Sequence, residues 1–314
     1  MRRIRFKNAH IEHLRRNILD VVLWKTGCYD DPHPKLPPPA SFCYPASPKL
    51  LNQEEPKAVW IGHSTYLIEV GGLAILTDPV WDSYCSPIPL RSLKRITEPA
   101  IALSDLPPID FVLISHNHYD HLDAKTVAIL HRFHPQIQWI VPEGLSPWFT
   151  KRGIANVVEL SWWKEFGTPQ CTLTAVPAQH FSGRTLWDQN RTHWNGYVIQ
   201  AAHKQLYFTG DTGYNEKDFK EIGQRFRSFD LSLIPIGTYV PKKFMQPVHV
   251  SPREAVQIHQ DVHSNLSLGM HWNTFRLSDE PDDRPPYDLY LAMREKKLPF
   301  ETFLPVEIGT YVNF

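Results

Sequence analysis

The chain is predicted to be a mixed α/β protein, on three observations. Short apolar runs bounded by turn residues recur along its 314 residues, capped helix-forming stretches stand among them, and 42% of the residues are hydrophobic, enough for a large core. Periodicity alone goes no further than α and β mixed.

The elements follow in chain order. Within residues 1–25, Arg2, Arg3, Arg5, Lys7, Arg15 and Arg16 accompany Ile11, Leu14, Ile18, Val21 and Val22, which fall on one helical face. Such a basic amphipathic segment either rests on an anionic membrane or packs on the rest of the chain, and packing is the preferred reading. Pro32 through Pro48 forms a proline-rich connector, so residues 1–56 are expected to lie against a catalytic domain of residues 57–314. Thr65 to Val70, Gly71-Gly72 and Leu73 to Thr77 spell a hairpin. Phe111 to Ile114, preceded by Leu106-Pro107-Pro108, reads as a buried strand, and Asp123 is placed to cap a helix from Ala124 to His134. Further strands fit Gln138 to Val141, Val157 to Leu160, Thr172 to Val176, Gln205 to Thr209, Leu231 to Pro235 and Asn265 to Met270. A helix from Pro252 to about His263 has Ser251 as N-cap, proline at its first position and Glu254 completing a capping box.

The strongest chemical statement is the run Ser115-His116-Asn117-His118-Tyr119-Asp120-His121, at the end of the strand beginning at Phe111. Imidazole and carboxylate suit a borderline divalent ion such as Zn²⁺, and four such side chains within six residues exceed what one tetrahedral ion uses. Two metals close together are the natural reading. If the chain stays extended past the strand, His116 and His118 point the same way, while the turn into the next helix aims Asp120 and His121 at a neighbouring position.

Here the chain resembles the metallo-β-lactamase superfamily, whose His-x-His-x-Asp-His motif is matched by His116 to His121. The resemblance implies a four-layer αββα sandwich and three more ligands on distant loops: His180 in Pro177 to His180, Asp211 in Phe208 to Gly213, and His271 in Gly269 to Trp272. The implied sites are His116, His118 and His180 for one Zn²⁺, Asp120, His121 and His271 for the other, and Asp211 between them. Trp60 to Thr65, Leu76 to Pro79, Gly210 to Tyr214, Pro235 to Gly237 and His249 to Ala255 further resemble the branch of the N-acyl-phosphatidylethanolamine phospholipases D and their bacterial relatives. Two departures from that branch fall near the expected substrate position: Lys242-Lys243 where Arg-Trp is common, and Asn273 where glycine is.

Two ions sharing a water make hydrolysis the expected reaction, with a phospholipid or small phosphodiester as the implied substrate. Catalytic roles fall to Asp120, which ligates and orients the nucleophile, to Asp211, and to His249, placed to protonate the leaving group or bind phosphate. His63 is read as a support for the ligands, and Asp78 either bonds a ligand histidine or merely stops the strand before Pro79. Among the aromatics, Trp81, Trp187, Trp194 and Trp272 are best placed on expected loops to line an acyl groove, although aromatic side chains more often fill cores. The competing reading is a lactonase of the ascorbate-6-phosphate type, using the same site on a small cyclic ester.

Composition narrows the partners. Lysine plus arginine equals aspartate plus glutamate at 33 each, so no net field gathers nucleic acid. Cys28, Cys43, Cys85 and Cys171 have no metal-binding spacing and suit reduced thiols in a cytoplasmic setting. No run approaches the roughly 20 apolar residues that span a bilayer, leaving at most a peripheral membrane contact. A homodimer and a monomer are both compatible with the sequence.

Overall fold

The computed structural model describes residues 5–11, 18–29, 36–48, 56–185 and 187–314. The expected helical face at Leu14, and with it Arg2, Arg3, Arg15 and Arg16, lies outside the described residues, as do positions 32–35 of the connector. The first strands are β1 (Lys57–Gly62), β2 (Thr65–Val70), β3 (Leu73–Thr77), β4 (Phe111–Leu113), β5 (Gln138–Pro142) and β6 (Val157–Leu160). A second set runs β7 (Glu165–Gly167), β8 (Cys171–Val176), β9 (Gly196–Ala201), β10 (Lys204–Phe208), β11 (Phe229–Pro235), β12 (Ser264–Met270) and β13 (Phe303–Leu304), and β14 (Tyr311–Asn313) returns to the first. They form two seven-stranded mixed sheets, ordered β14-β1-β2-β3-β4-β5-β6 and β13-β12-β11-β10-β9-β8-β7.

The sheets are mostly buried on both faces, which is why their strands read as continuous apolar runs rather than alternating ones. Along β1, Ala58 and Trp60 join the core shared with Leu173, Val198 and Leu206 of the other sheet. Val59 and Ile61, one residue out of phase, face a separate cluster with Val127, Leu130 and Phe149. That outer cluster is covered by α2 (Ala124–Phe133) and α3 (Ser146–Thr150). The second sheet is flanked by α4 (Glu216–Phe226), α6 (Pro252–Asp261) and α7 (Arg284–Lys296), with the short α5 (Lys242–Met245) between β11 and α6. The result is the layered arrangement of two sheets and flanking helices that the resemblance implies.

Local chemistry sets the boundaries. The Asp123 side chain accepts the Lys125 N–H and starts α2, and Ser251 and Glu254 close a reciprocal capping box on α6. Both helices stop earlier than their apolar patterns suggest: α2 ends at Phe133 because His134 leaves helical geometry, and α6 ends at Asp261 as the chain turns into β12.

The N-terminal residues contact this body. On α1 (Ile18–Lys25), Trp24 stacks on Phe244 at 5.1 Å and donates its indole N–H to Asp279 at 2.7 Å. In the connector the Tyr44 hydroxyl donates to the Phe303 carbonyl at 2.7 Å, and Phe42 packs edge-on against Tyr287. Among the described residues no helix is long and apolar enough to cross a membrane.

Candidate metal centre

Topology gathers the loops. β3 and β4 run parallel, as do β10, β11 and β12, so the segments leaving their C-terminal ends emerge on common edges. The β1–β2 turn joins the first group because β2 is antiparallel to β3. His63, Asp78, residues 115–121, His180, Asp211, Thr238 and His271 all lie on such loops.

All seven residues expected from the sequence meet there. His118 Nδ1 lies 2.7 Å from His116 Nε2 and 3.2 Å from His180 Nε2, forming one group of donors within 4.8 Å of each other. Asp120, His121 and His271 form a second such group, joined by His63. One oxygen of Asp211 stands between them, 3.2 Å from His121 Nε2, 3.1 Å from His271 Nε2 and 3.8 Å from His180 Nε2. His249 reaches the same oxygen with Nδ1 at 3.7 Å and closes a third group with His180 and Asp211.

Four of the imidazoles, those of His116, His121, His180 and His271, are oriented from behind. His121 Nδ1 donates to Asp78 at 2.7 Å, and Asp78 also accepts the Ser115 N–H at 2.7 Å and the Ser115 hydroxyl at 2.5 Å. Ser115 Oγ in turn lies 2.9 Å from His116 Nδ1. His180 Nδ1 donates to the Val248 carbonyl at 2.9 Å, His271 Nδ1 pairs with Thr238 Oγ1 at 3.0 Å, and His63 Nε2 pairs with Asp120 at 3.1 Å. Bonds of this kind fix the tautomer and leave the opposite nitrogen facing the centre. They require backbone rarely used by non-glycine residues: His63, Asp78, Thr238 and His271 have φ of 54°, 30°, 65° and 62°. Gly237 is demanded by proximity, since a Cβ there would stand 2.2 Å from the His271 carbonyl oxygen.

The donors fit divalent ions. His121 Nε2, His271 Nε2 and Asp211 Oδ1 are buried with no hydrogen-bond partner, although carboxylate oxygens lie 3.1–3.5 Å from the two nitrogens. Buried polar atoms left so are costly, and a cation at their convergence would satisfy them. Charge agrees. Burial pushes the His116, His118 and His180 imidazoles toward the neutral form, His118 to about 4, which leaves lone pairs available. Burial acts the same way on His121 and His271, but the Asp211 and Asp120 carboxylates overcome it, holding His121 well above the usual range and His271 at about 9. Burial would raise Asp120 and Asp211, and the facing charges, His121 first, hold both well below the ordinary carboxylate range. The facing carboxylates thus favour positive charge at this point.

Not every sequence expectation about the surroundings survives. Trp194 is 1% exposed and Trp272 8%, the latter stacked on Trp60 at 5.3 Å, so both fill the interior rather than an acyl groove. Trp187 is exposed, and Trp81 is half-buried with its N–H on the Ile101 carbonyl. Sequence reasoning also missed Thr238, the Val248 carbonyl and Arg184, whose Nη1 donates to the carbonyls of Asn117 at 3.0 Å and Leu122 at 2.6 Å and so binds the motif loop from outside. No local pattern marks them.

Comparison with known proteins agrees with this geometry. The β-lactamase superfamily domain model matches residues 74–272. N-acyl-phosphatidylethanolamine-hydrolyzing phospholipase D 1 of Caenorhabditis elegans is 38% identical over 263 residues, 80% of this chain and 74% of that protein. The mitochondrial N-acyl-phosphatidylethanolamine-hydrolyzing phospholipase D of Saccharomyces cerevisiae is 36% identical over 70% of this chain and 48% of its own length. Among solved structures, Igni18, a metallo hydrolase from the archaeon Ignicoccus hospitalis, superposes with a TM-score of 0.62 at 22% identity, covering 82% of this chain and 97% of that one.

Proposed function

This chain belongs to the metallo-β-lactamase superfamily and is a metal-dependent hydrolase, and on that premise we propose that it is a dinuclear zinc phosphodiesterase of the phospholipase D type, acting on N-acyl-phosphatidylethanolamine. The observation that carries the reading is the placement of Asp211 between two donor groups. His116, His118 and His180 would hold one Zn²⁺, Asp120, His121 and His271 the other, and Asp211 both. Two ions so held would bring a shared water toward a neutral pKa and offset charge on a phosphoryl oxygen.

The chain's own residues divide the remaining work. Asp120, whose side chain is 15% exposed against 2% for Asp211, is the centre's accessible carboxylate; tethered by His63, it accepts a hydrogen bond from the incoming water and aims its oxygen at phosphorus. Bond formation from that oxygen to phosphorus accompanies cleavage of the bond to the ethanolamine-side oxygen. His249, 11% exposed and facing Asp211, donates the proton that this departing alkoxide needs. The products are phosphatidic acid and an N-acylethanolamine. A recess of about 200 Å³ beside α5 and the start of α6 supports a lipid substrate with apolar and charged parts, since Tyr239, Leu291 and Ala292 line it together with Lys242, Arg253, Asp288 and Glu295.

The test is an assay of zinc-loaded protein against N-acyl-phosphatidylethanolamine, small diesters and lactones. Release of N-acylethanolamine is expected; activity confined to lactones would eliminate the proposal.

A further inference from the structure

We propose that Asn8, on the N-terminal strap, is a positioning residue for the metal centre, holding the peptide of His180 so that its imidazole meets His116 and His118. The inference rests on the metal reading above and concerns a segment that precedes residues 74–272, where the superfamily model matches.

The strap is an extended piece of chain laid against the loops of the centre. Phe6 and Asn8 are half-buried while Arg5 and Lys7 are exposed, the alternation of an extended chain with one face on the protein. Phe6 anchors it first: its N–H donates to the Asn190 carbonyl at 2.8 Å and its ring lies 4.5 Å from that of His193. Two residues on, the Asn8 side chain behaves as a strand neighbour would. Its Nδ2 donates to the His180 carbonyl at 2.8 Å, and its Oδ1 accepts the His180 N–H at 3.1 Å. Past a bend, His10 Nε2 pairs with Asp218 at 3.1 Å.

His180 is 0% exposed and lies on a loop without sheet pairing. Among the described residues its N–H and carbonyl have no other hydrogen bond, so both main-chain groups depend on one side chain 172 positions away. The ring is fixed by the Val248 carbonyl at Nδ1, which orients it about its own axis. Asn8 fixes the other end, the Cα from which the ring hangs. Since His180 Nε2 is 3.2 Å from His118 Nδ1, a slide of this loop by a fraction of an ångström would remove one of three imidazoles from a common point.

Loss of a group that orients a ligand characteristically weakens metal affinity about 10–100-fold. The experiment titrates full-length, chelator-stripped protein with Zn²⁺ in competition with a chromophoric chelator, for the parent chain, Asn8→Ala, and Lys7→Ala as an exposed strap control. In Asn8→Ala one of the two Zn²⁺ transitions is expected to weaken about 10–100-fold while the other stays in place, and the d–d absorption of the Co²⁺-loaded protein should change for that site alone. Lys7→Ala should match the parent. Asn8→Asp keeps the acceptor for the His180 N–H but turns a carboxylate oxygen toward the His180 carbonyl, so as a nearly isosteric second variant it should weaken the same transition. Unchanged transitions in Asn8→Ala, or equal weakening of both, would overturn the role, as would a lower melting temperature with metal binding intact. If the parent chain takes up a single ion, the dinuclear reading fails instead, and Asn8 is judged on that one transition.

Discussion

Replacing Asp78 by asparagine tests whether the support of the centre does what its geometry suggests. Asp78 is 0% exposed and receives three donors, the Ser115 amide on one oxygen and the Ser115 hydroxyl and His121 Nδ1–H on the other. Asparagine is nearly isosteric and tolerates the φ of 30° found there, so the comparison is free of backbone strain. It has one oxygen to offer. Turned either way, its NH₂ confronts at least one buried donor, a penalty of about 1–3 kcal/mol in stability. If the NH₂ faces His121, that ring must shed its Nδ1 proton and carry it on Nε2, the nitrogen that faces Asp211. If Ser115 instead turns its hydroxyl hydrogen to His116 Nδ1, 2.9 Å away, His116 loses its ligand nitrogen in the same manner. The metal affinity of the affected site should fall about 10–100-fold. Zinc titration against a chelator, paired with thermal melts in excess chelator, separates the two effects. Asp78→Asn with both zinc transitions and turnover at parental values would refute the claim that this carboxylate sets the tautomers.

Further expectations follow from other parts of the molecule. His249→Ala should slow hydrolysis of diesters with alkoxide leaving groups about 10²–10⁴-fold and leave a p-nitrophenyl diester nearly untouched; equal rates on a poor leaving group would take His249 out of the mechanism. Gly237→Ala sets a methyl 2.2 Å from the His271 carbonyl oxygen, so it should cost about 1–3 kcal/mol and lower zinc uptake together, read by melting and elemental analysis. Burial lowers His259, bonded to Ser267, to about 4, against an unfolded value near 6.5. Above pH ~6.5 both states are neutral and stability is full; as pH falls toward ~4 only the unfolded chain gains the proton, and stability drops by up to about 1.4 kcal/mol per pH unit. Metal-free melts from pH 7 to 5 should therefore flatten in His259→Asn, and an unchanged slope would contradict this.

The parts legible in the sequence are those encoded locally. His116 to His121 announces metal chemistry because four donors are adjacent; Gly71-Gly72 announces its hairpin because those glycines adopt φ of 61° and 77°; and Ser251 with Glu254 announces α6 because a capping box is complete within four residues. Where a turn lacks such residues, the reading has nothing to hold. Strand β9 meets β10 through Ala202 and His203, at φ of 48° and 63°, without a glycine or asparagine to mark the hairpin. Helix α7 opens on Pro285-Pro286, which reads as a break although proline is tolerated in the first turn. At the centre the same division holds. The seven residues that gather at the centre were legible from the motif and the resemblance, but Thr238 under His271, Val248 under His180 and Asn8 behind the His180 peptide are ordinary residues whose contacts exist only once remote loops meet. Two of these act on His180 and one on His271, the two histidines of the centre that stand apart from the local motif. A histidine delivered by a lone loop has its direction set entirely by tertiary bonds, whereas His116, His118 and His121 share one segment tied down by Asp78 and Arg184. The two departures stand outside that segment: Lys242-Lys243 open α5, where Lys242 borders the recess beside Tyr239, and Asn273 lies on the loop after β12, bordering the open acidic cleft beside Trp272.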